Sequence, residues 1–340
     1  MKIWYCPYQL NWADQLPGKS QGSLLRDAEL KKSPRYGALL RIEKKGVCGY
    51  SDLHPWIEFG DVDLESELKY LKSGNLTRLS KRAMHFAQLD LEAREKNQNL
   101  FSQKEIPESH GLLMVEPELW QLGLKGYLQD GFRVLKIKLG QNLKEELREL
   151  NRLSKDLSEA WLRLDFNARV SAEQILEFFA ELDLNLRTRV EFIEDPISWN
   201  GPAWSDLQKK IKIPLAFDHP SLNSTVESFI EMVSPQNWLV VKPAVQDPFV
   251  LHQIVGPSRL RVCVTSYLDH PVGQMFAAFE AAKWAETYDG VGTCGLLSHS
   301  VYQKNSFSEM LGGQCPQLFP PEGTGIGFDQ ILEAQDWKCL

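Results

Sequence analysis

Five segments of this chain carry an ionisable residue near their C-terminal ends, and the residue types suit carbon-acid chemistry. They are Val134–Gly140 with Lys136 and Lys138, Trp161–Asn167 with Asp165, Val190–Pro196 with Glu194, Pro214–Asp218, and Trp238–Pro243 with Lys242. From Lys138 onward the charges follow one another at roughly 24 to 29 residues, about the length of a strand, a helix and two loops. Successive side chains of a strand point to opposite faces, so Lys136 and Lys138 share one face and Leu135, Ile137 and Leu139 the other. Two lysines alone would suit a solvated edge strand. Charges recurring at the ends of successive strands, all projecting one way, describe the mouth of a parallel barrel.

Asp165, Glu194 and Asp218 come from three successive segments, and carboxylates converging in a dry mouth cannot all stay ionised without a cation. Their hard oxygen donors favour Mg²⁺ or Mn²⁺ over zinc and leave coordination positions for water and substrate. Lys136 and Lys138 precede this trio and Lys242 follows it, so amines are expected on both sides of a bound substrate. A lysine beside a divalent cation and a second lysine gives up its proton more easily and can serve as a base. A metal-held carboxylate would stabilise the dianion left when the adjacent carbon loses a proton. The set suits proton abstraction α to a carboxylate.

The elements that must position these residues can be read from periodicity. Tyr36–Glu43 and Val47–Leu53 flank Lys44-Lys45-Gly46, a hairpin signal. Residues 10–35 are polar and broken by Pro17, Gly18, Gly22 and Pro34, and are expected to form a loop able to close over a site. Helices are expected over Asp63–Lys72 and over Thr77–Lys96, with Thr77 as N-cap. From about residue 110 strands and helices alternate, giving seven or eight β-α units that end with Leu260–Tyr267, a helix over Val272–Thr287 and a short strand at Asp289–Cys294. Helices are also expected over Leu143–Leu157, Ser171–Leu182 and Val226–Val233. Gly323, Gly325 and Gly327 lack the strand-turn-helix context of a dinucleotide site and are read as chain-turning residues.

The chain has 340 residues, more than the roughly 250 of one barrel, which leaves room for a second unit. A net charge of -7 argues against nucleic acid as partner. No apolar run approaches the roughly 20 residues of a membrane span, and Met1–Cys6 reads as a strand rather than a signal peptide. A cytoplasmic enzyme with a small-molecule carboxylate substrate and neither a nucleic-acid nor a membrane partner is expected; oligomeric state is left open. The six scattered cysteines are expected as free thiols. A zinc hydrolase would need histidines at strand ends, and His219, His270 and His299, the three near expected mouths, read better as polar loop residues.

Lys136-Ile137-Lys138, Arg163-Leu164-Asp165-Phe166-Asn167, Phe192-Ile193-Glu194-Asp195-Pro196, Ala216-Phe217-Asp218 and Val241-Lys242-Pro243 together resemble the enolase superfamily, in its muconate-lactonizing subgroup. Within it the chain is similar to the o-succinylbenzoate synthase family, on Arg163 before Asp165, a lone Lys242 and the run Val264–Gly273. The resemblance implies an α/β fold: a modified TIM barrel with an N-terminal α+β capping domain completed by the C-terminal tail. Residues 1–105 would form the cap, 106–300 the barrel and 301–340 the returning tail. It further implies a syn-elimination of water from a cyclohexadiene carboxylate. Lys138 would take the proton and return it to the leaving hydroxyl, with Mg²⁺ on Asp165, Glu194 and Asp218. Lys242 would face the opposite side of the substrate, and Lys136 would tune Lys138. Arg163, Asn167, Thr265, Ser266 and Gly292 would bind substrate. The same machinery would serve an N-acylamino-acid racemase using Lys138 and Lys242 as a two-base pair. Two stretches depart from the family pattern: Gly49–Pro55, with Ser51 and Asp52 substituted, and Asp218-His219-Pro220.

Overall fold

The structure, a computed structural model, describes residues 2–13, 15–16, 20–21, 33–114, 116–157, 159–218, 229, 234–312 and 315–340. Most of the expected closing loop at 10–35, most of the expected helix Val226–Val233, and His219 and Pro220 lie outside the described residues.

Alternating apolar and polar residues at the N-terminus build an antiparallel sheet. β1 (Lys2–Leu10) pairs with β4 (Arg35–Lys44), and β4 with β5 (Val47–Leu53); the short hairpin β2 (Gln15–Leu16) and β3 (Ser20–Gln21) lies between them in sequence. The β4–β5 turn places Lys45 and Gly46 at φ 52° and 83°, which glycine adopts freely and lysine only at some cost. α1 (Leu64–Ser73) starts where Asp63 accepts from the Ser66 amide, and α2 (Arg78–Glu95) where Thr77 and Ser80 form a reciprocal cap. α2 packs on β5, with Gly49 so close to Ala87 and Leu91 that a Cβ would collide.

The barrel strands are β6 (Gly111–Leu113), β7 (Val134–Lys138), β8 (Trp161–Asp165), β9 (Val190–Glu194), β10 (Leu215–Phe217), β11 (Trp238–Val241) and β12 (Arg261–Val264). They form one parallel sheet in sequential spatial order. Helices return the chain between them: α3 (Trp120–Gln129), α4 (Leu143–Arg152), α5 (Ala172–Glu181), α6 (Leu184–Arg187), α7 (Gly201–Ile211) and α8 (Pro248–Ser258). Outward Leu135, Ile137, Leu162, Leu164, Leu239 and Val241 join the main core beneath these helices. Inward Phe192, Ala216, Trp238, Val240 and Cys263 form a separate plug inside the barrel. The expected last strand is instead a run of bridges: Val291 pairs with Val262, Gly295 with Thr265 and Cys294 with Ser109. Glycines at 290, 292 and 295 explain the missing regular ladder, and the run still joins β12 to the start of β6. The expected strand over Leu260–Tyr267 is likewise shorter, because the chain leaves the ladder after Val264.

α9 (Pro271–Thr287) is buried on nearly all sides between sheet and barrel, with Phe276 stacked on Phe86 at 4.6 Å. α10 (Ser306–Glu309) and α11 (Asp329–Glu333) lead back to the first sheet, where β13 (Lys338–Cys339) pairs with β1. On this path Gly323, Gly325 and Gly327 all have positive φ, so they turn the chain. Arg94 clasps the return, bonding Asp90 at 2.6 Å and Asp329 at 2.7 Å. All six cysteines are free; Cys6, Cys263 and Cys294 are buried, whereas Cys339 is exposed.

Candidate active site

The strands end at or one residue before their charged groups, which turns every charge toward one mouth. Lys138 pairs in register with Asp165, and Asp165 with Glu194. Immediately past the ladder, Asn167, Ala168 and Asp195 adopt left-handed φ of 49°, 55° and 40°. Such strain in non-glycine residues concentrates where surrounding structure imposes it. Here Asn167 bonds back to Asp165 through its amide at 3.1 Å and through its side chain.

At the centre, Lys136 Nζ lies 2.6 Å from Glu194 and 3.0 Å from Asp165. Lys138 Nζ lies 2.9 Å from Asp165 and 3.2 Å from Asn167 Oδ1. Lys242 Nζ lies 2.5 Å from both oxygens of Asp218. Burial works to raise the Asp165 carboxyl, but the charges of Lys136 and Lys138 override it and hold it below the usual range. Burial likewise opposes Asp218, and Lys242 and Lys136 hold it low. Glu194 goes the other way, to about 8, through burial and then the charge of Asp165. Asp195 is raised well above the usual range by burial and then by Asp218 and Glu194. For Lys136 the three facing carboxylates outweigh burial, so it binds its proton more tightly than usual. The cluster thus holds more carboxylate than its ammonium groups neutralise.

Part of this cluster lines a cavity of about 420 Å³, a volume suited to a small ligand; Asp165 and Glu194 are not among its lining residues and meet it only through Lys136 and Lys138. Lys136, Lys138, Asn167, Asp218 and Lys242 reach it from the strand ends. Thr265 and Ser266 line it after β12, and Phe59 of the first unit covers it, its ring centroid 5.8 Å from Lys242 Nζ. Arg82 on α2 fixes the Lys242 loop by bonding the Pro243 carbonyl at 2.9 Å.

Two expected substrate contacts are corrected. Arg163 does not line the cavity: it is fully buried one layer below, against Phe192 and Trp238, with Nε 2.7 Å from Glu191. It shares the inner face with Asp165, but two residues along a strand place it roughly 7 Å deeper. Gly292 also lies away from the cavity, packed on the Trp238 ring where a Cβ would collide; Gly295 lines the wall instead. His270 and His299, read as polar loop residues, sit at chain turns: buried His270 caps α9 through the Val272 amide, and half-buried His299 bonds Gln274. Asp52 turns from the cavity toward the barrel, accepting from Tyr8 at 2.6 Å and from the His270 amide at 3.2 Å. Nothing in the sequence places His110 at the site, because only the long-range bridge of Ser109 to Cys294 brings the residues before β6 against the floor of the cavity.

Residues 123–247 match the enolase C-terminal domain-like model, so the parallel barrel with charged strand ends is of that class. Three solved structures share the fold. They are muconate lactonizing enzyme from Pseudomonas putida (16% identity, TM-score 0.74, 98% of each chain), N-succinyl Arg/Lys racemase from Bacillus cereus (17%, 0.76, 100% of each) and dipeptide epimerase from Enterococcus faecalis (15%, 0.75, 96% of this chain and 99% of that one). Residues 3–93 match the model of the o-succinylbenzoate synthase N-terminal domain. The o-succinylbenzoate synthase of Bdellovibrio bacteriovorus is 32% identical over 343 residues, covering 100% of this chain and 99% of that one. The chain therefore belongs to the o-succinylbenzoate synthase family, and it is an enzyme of the lyase class. No helix among the described residues is long and apolar enough to cross a membrane.

Proposed function

We propose that this enzyme dehydrates 2-succinyl-6-hydroxy-2,4-cyclohexadiene-1-carboxylate to o-succinylbenzoate, a step of menaquinone biosynthesis, with Mg²⁺ or Mn²⁺ as cofactor. The carrying observation is the row of paired charges at adjoining strand ends beside the cavity. Lys138 stands on Asp165 and Lys242 on Asp218, with Lys136 joining Asp165 to Glu194 between them.

The donor set fits a divalent cation. Among the described residues no three such side chains form a ready chelate; the Lys136 ammonium instead bridges two of them, standing in for part of a cation's charge. Glu194 pushed to about 8 marks charge still unmet, and hard carboxylate oxygens suit Mg²⁺. When bound at Asp165, Glu194 and Asp218, the cation supplies positive charge to the substrate carboxylate.

Lys138, as the free amine, accepts the proton from the ring carbon α to the carboxylate. The C–O bond to the neighbouring hydroxyl then breaks, and the Lys138 ammonium returns the proton to it. Water leaves and the ring becomes aromatic, with no change in oxidation state to supply. Lys242 presents positive charge to the other side of the planar anion. Lys136 keeps Asp165 and Glu194 ionised and aligned, and Asn167 orients Asp165.

The test is an ultraviolet assay for aromatisation of the diene, with and without EDTA. Turnover that disappears with EDTA and returns with Mg²⁺ is expected; no aromatisation by the Mg²⁺-loaded enzyme would overturn the reading. Amines beside both ends of the carboxylate row also support a racemase reading. Deuterium exchange at the α-carbon of N-succinyl amino acids measures it.

A further inference from the structure

His110 is a cavity residue with no role in the reaction as proposed. Its amide donates to the Cys294 carbonyl at 2.8 Å, which fixes its backbone beside the bridge between Ser109 and Cys294. Its Nδ1 lies 3.0 Å from Arg163 Nη1. A guanidinium can only donate, so Nδ1 must accept and the proton of the neutral ring must sit on Nε2. The ring stays neutral, because burial and then the charges of Arg163 and Lys136 hold it well below the usual histidine range. Arg163 is itself held by Glu191 at 2.7 Å and by the Thr293 carbonyl at 2.8 Å, so the tautomer is built into the barrel floor.

Nε2 points away from Arg163, past Gly295, and has no partner among the described residues. A Cβ on Gly295 would stand 3.1 Å from His110 Nε2 and 2.8 Å from Thr265 Cγ2, so the two side chains flank this glycine on the cavity wall. Thr265 supplies an independent sign of a ligand. It is 8% exposed, and its hydroxyl oxygen is buried without any hydrogen-bond partner. A buried donor left unmade costs free energy that a ligand oxygen would recover.

We propose that His110 Nε2–H is a neutral donor that holds an acceptor oxygen, ketone or carboxylate, on the substrate's side chain, beside the Thr265 that the family resemblance already implies for substrate binding. Arg163 acts through His110 as a positioning residue. This rests on the dehydratase reading, in which the ring carboxylate lies at the lysine row and the side chain must reach elsewhere in the cavity. A neutral donor there discriminates by hydrogen bonding and leaves the charge balance of the lysine row untouched.

Two measurements test it. Binding of o-succinylbenzoate and of benzoate, which lacks the side chain, is titrated on Mg²⁺-loaded wild type, His110→Phe and His110→Gln. His110→Phe should weaken o-succinylbenzoate about 10- to 100-fold and raise KM alike, with kcat within about threefold and benzoate unchanged. His110→Gln, whose amide can reach the Nε2 position, should recover most of the loss. Equal losses for both ligands, no loss, or no recovery would overturn the proposal. The second measurement needs no variant: ¹⁵N shifts of the wild-type imidazole should report the Nε2–H tautomer, and Nδ1–H would refute the Arg163 role. If wild type fails to aromatise the diene, the dehydratase reading falls by itself. The titrations are then repeated with N-succinyl amino acids, which carry the same side chain, and a loss confined to them upholds the His110 site.

Discussion

At the barrel mouth Asp165 and Glu194 are buried with the Lys136 ammonium within 3.0 Å of both. Under the β4–β5 hairpin, Asp52 and Asp269 are buried around Gly273 with no lysine or arginine in ion-pair contact among the described residues. The same residue types behave in opposite ways. Asp165 is held low by its lysines against its burial. Asp52 is raised well above the usual range by burial and then by Asp269, and Asp269 is pushed up to about 7 by burial. The histidines beside them, His54 and His270, are pushed down to about 3, both chiefly by burial. The seam thus discards its charges and encloses a void of only about 10 Å³, whereas the mouth keeps its charges beside a cavity of about 420 Å³. Supplied cations separate a site that can bind and move protons from one that only joins two units.

The comparison breaks most severely at Lys138. Lys138→Ala should lower kcat at least about 1,000-fold while the circular-dichroism spectrum and Mg²⁺ affinity stay near wild type. Activity within tenfold of wild type would remove the general base from the mouth. Next comes Lys136→Met, which strips Asp165 and Glu194 of their shared cation. In EDTA it should cost about 3 kcal/mol in urea unfolding, and saturating Mg²⁺ should restore part of that loss. A variant as stable as wild type in EDTA would mean that the mouth, like the seam, neutralises its acids by proton uptake.

How much of this contrast the sequence shows depends on depth and on chain closure. The period of two along Val134–Lys138 placed Lys136 and Lys138 inside and Leu135 and Ile137 in the core, as observed. Thr77 located the start of α2 from sequence, because a side-chain acceptor there has a local signature; the structure adds Asp63 and Ser171 as caps of α1 and α5. The substrate contacts of Arg163 and Gly292 came from the family resemblance; periodicity gives the face but not the layer of Arg163, and register between residues 290–295 and β12 has no local signal that would single out Gly295 as the wall residue. The seam was illegible for the same reason, since Asp52 and Asp269 meet across two units more than two hundred residues apart in sequence.

At the seam the packing can be tested first. A Cβ on Gly273 would stand 2.5 Å from Asp52 Oδ2 and 2.7 Å from Asp269 Oδ2. Asp52 is fixed by Tyr8 and by the His270 amide, so its oxygen does not retreat freely. Gly273→Ala should therefore cost about 2 to 3 kcal/mol, read by thermal or urea unfolding at pH 7. Less than 0.5 kcal/mol would mean that the two carboxyls are not held in place.

Asp269→Asn gives the smallest effect, and its sign separates the two regions. The folded Asp269 carboxyl titrates near 7, above the roughly 3.8 of an unfolded aspartate, so between those values the native chain holds a proton that the unfolded chain has lost. Its contribution is complete below about pH 4 and fades as pH rises through 7. His54 and His270, titrating near 3 when folded, act oppositely, since the unfolded chain binds their protons first and stability climbs with pH toward about 6.5. In wild type the two trends offset each other. The asparagine variant loses the Asp269 trend while buried Asp52 and the histidines keep theirs, so its stability relative to wild type should improve by about 1 to 2 kcal/mol from pH 5 to pH 8. A flat difference across that range would show Asp269 ionised throughout, and the seam would then need a cation as the mouth does.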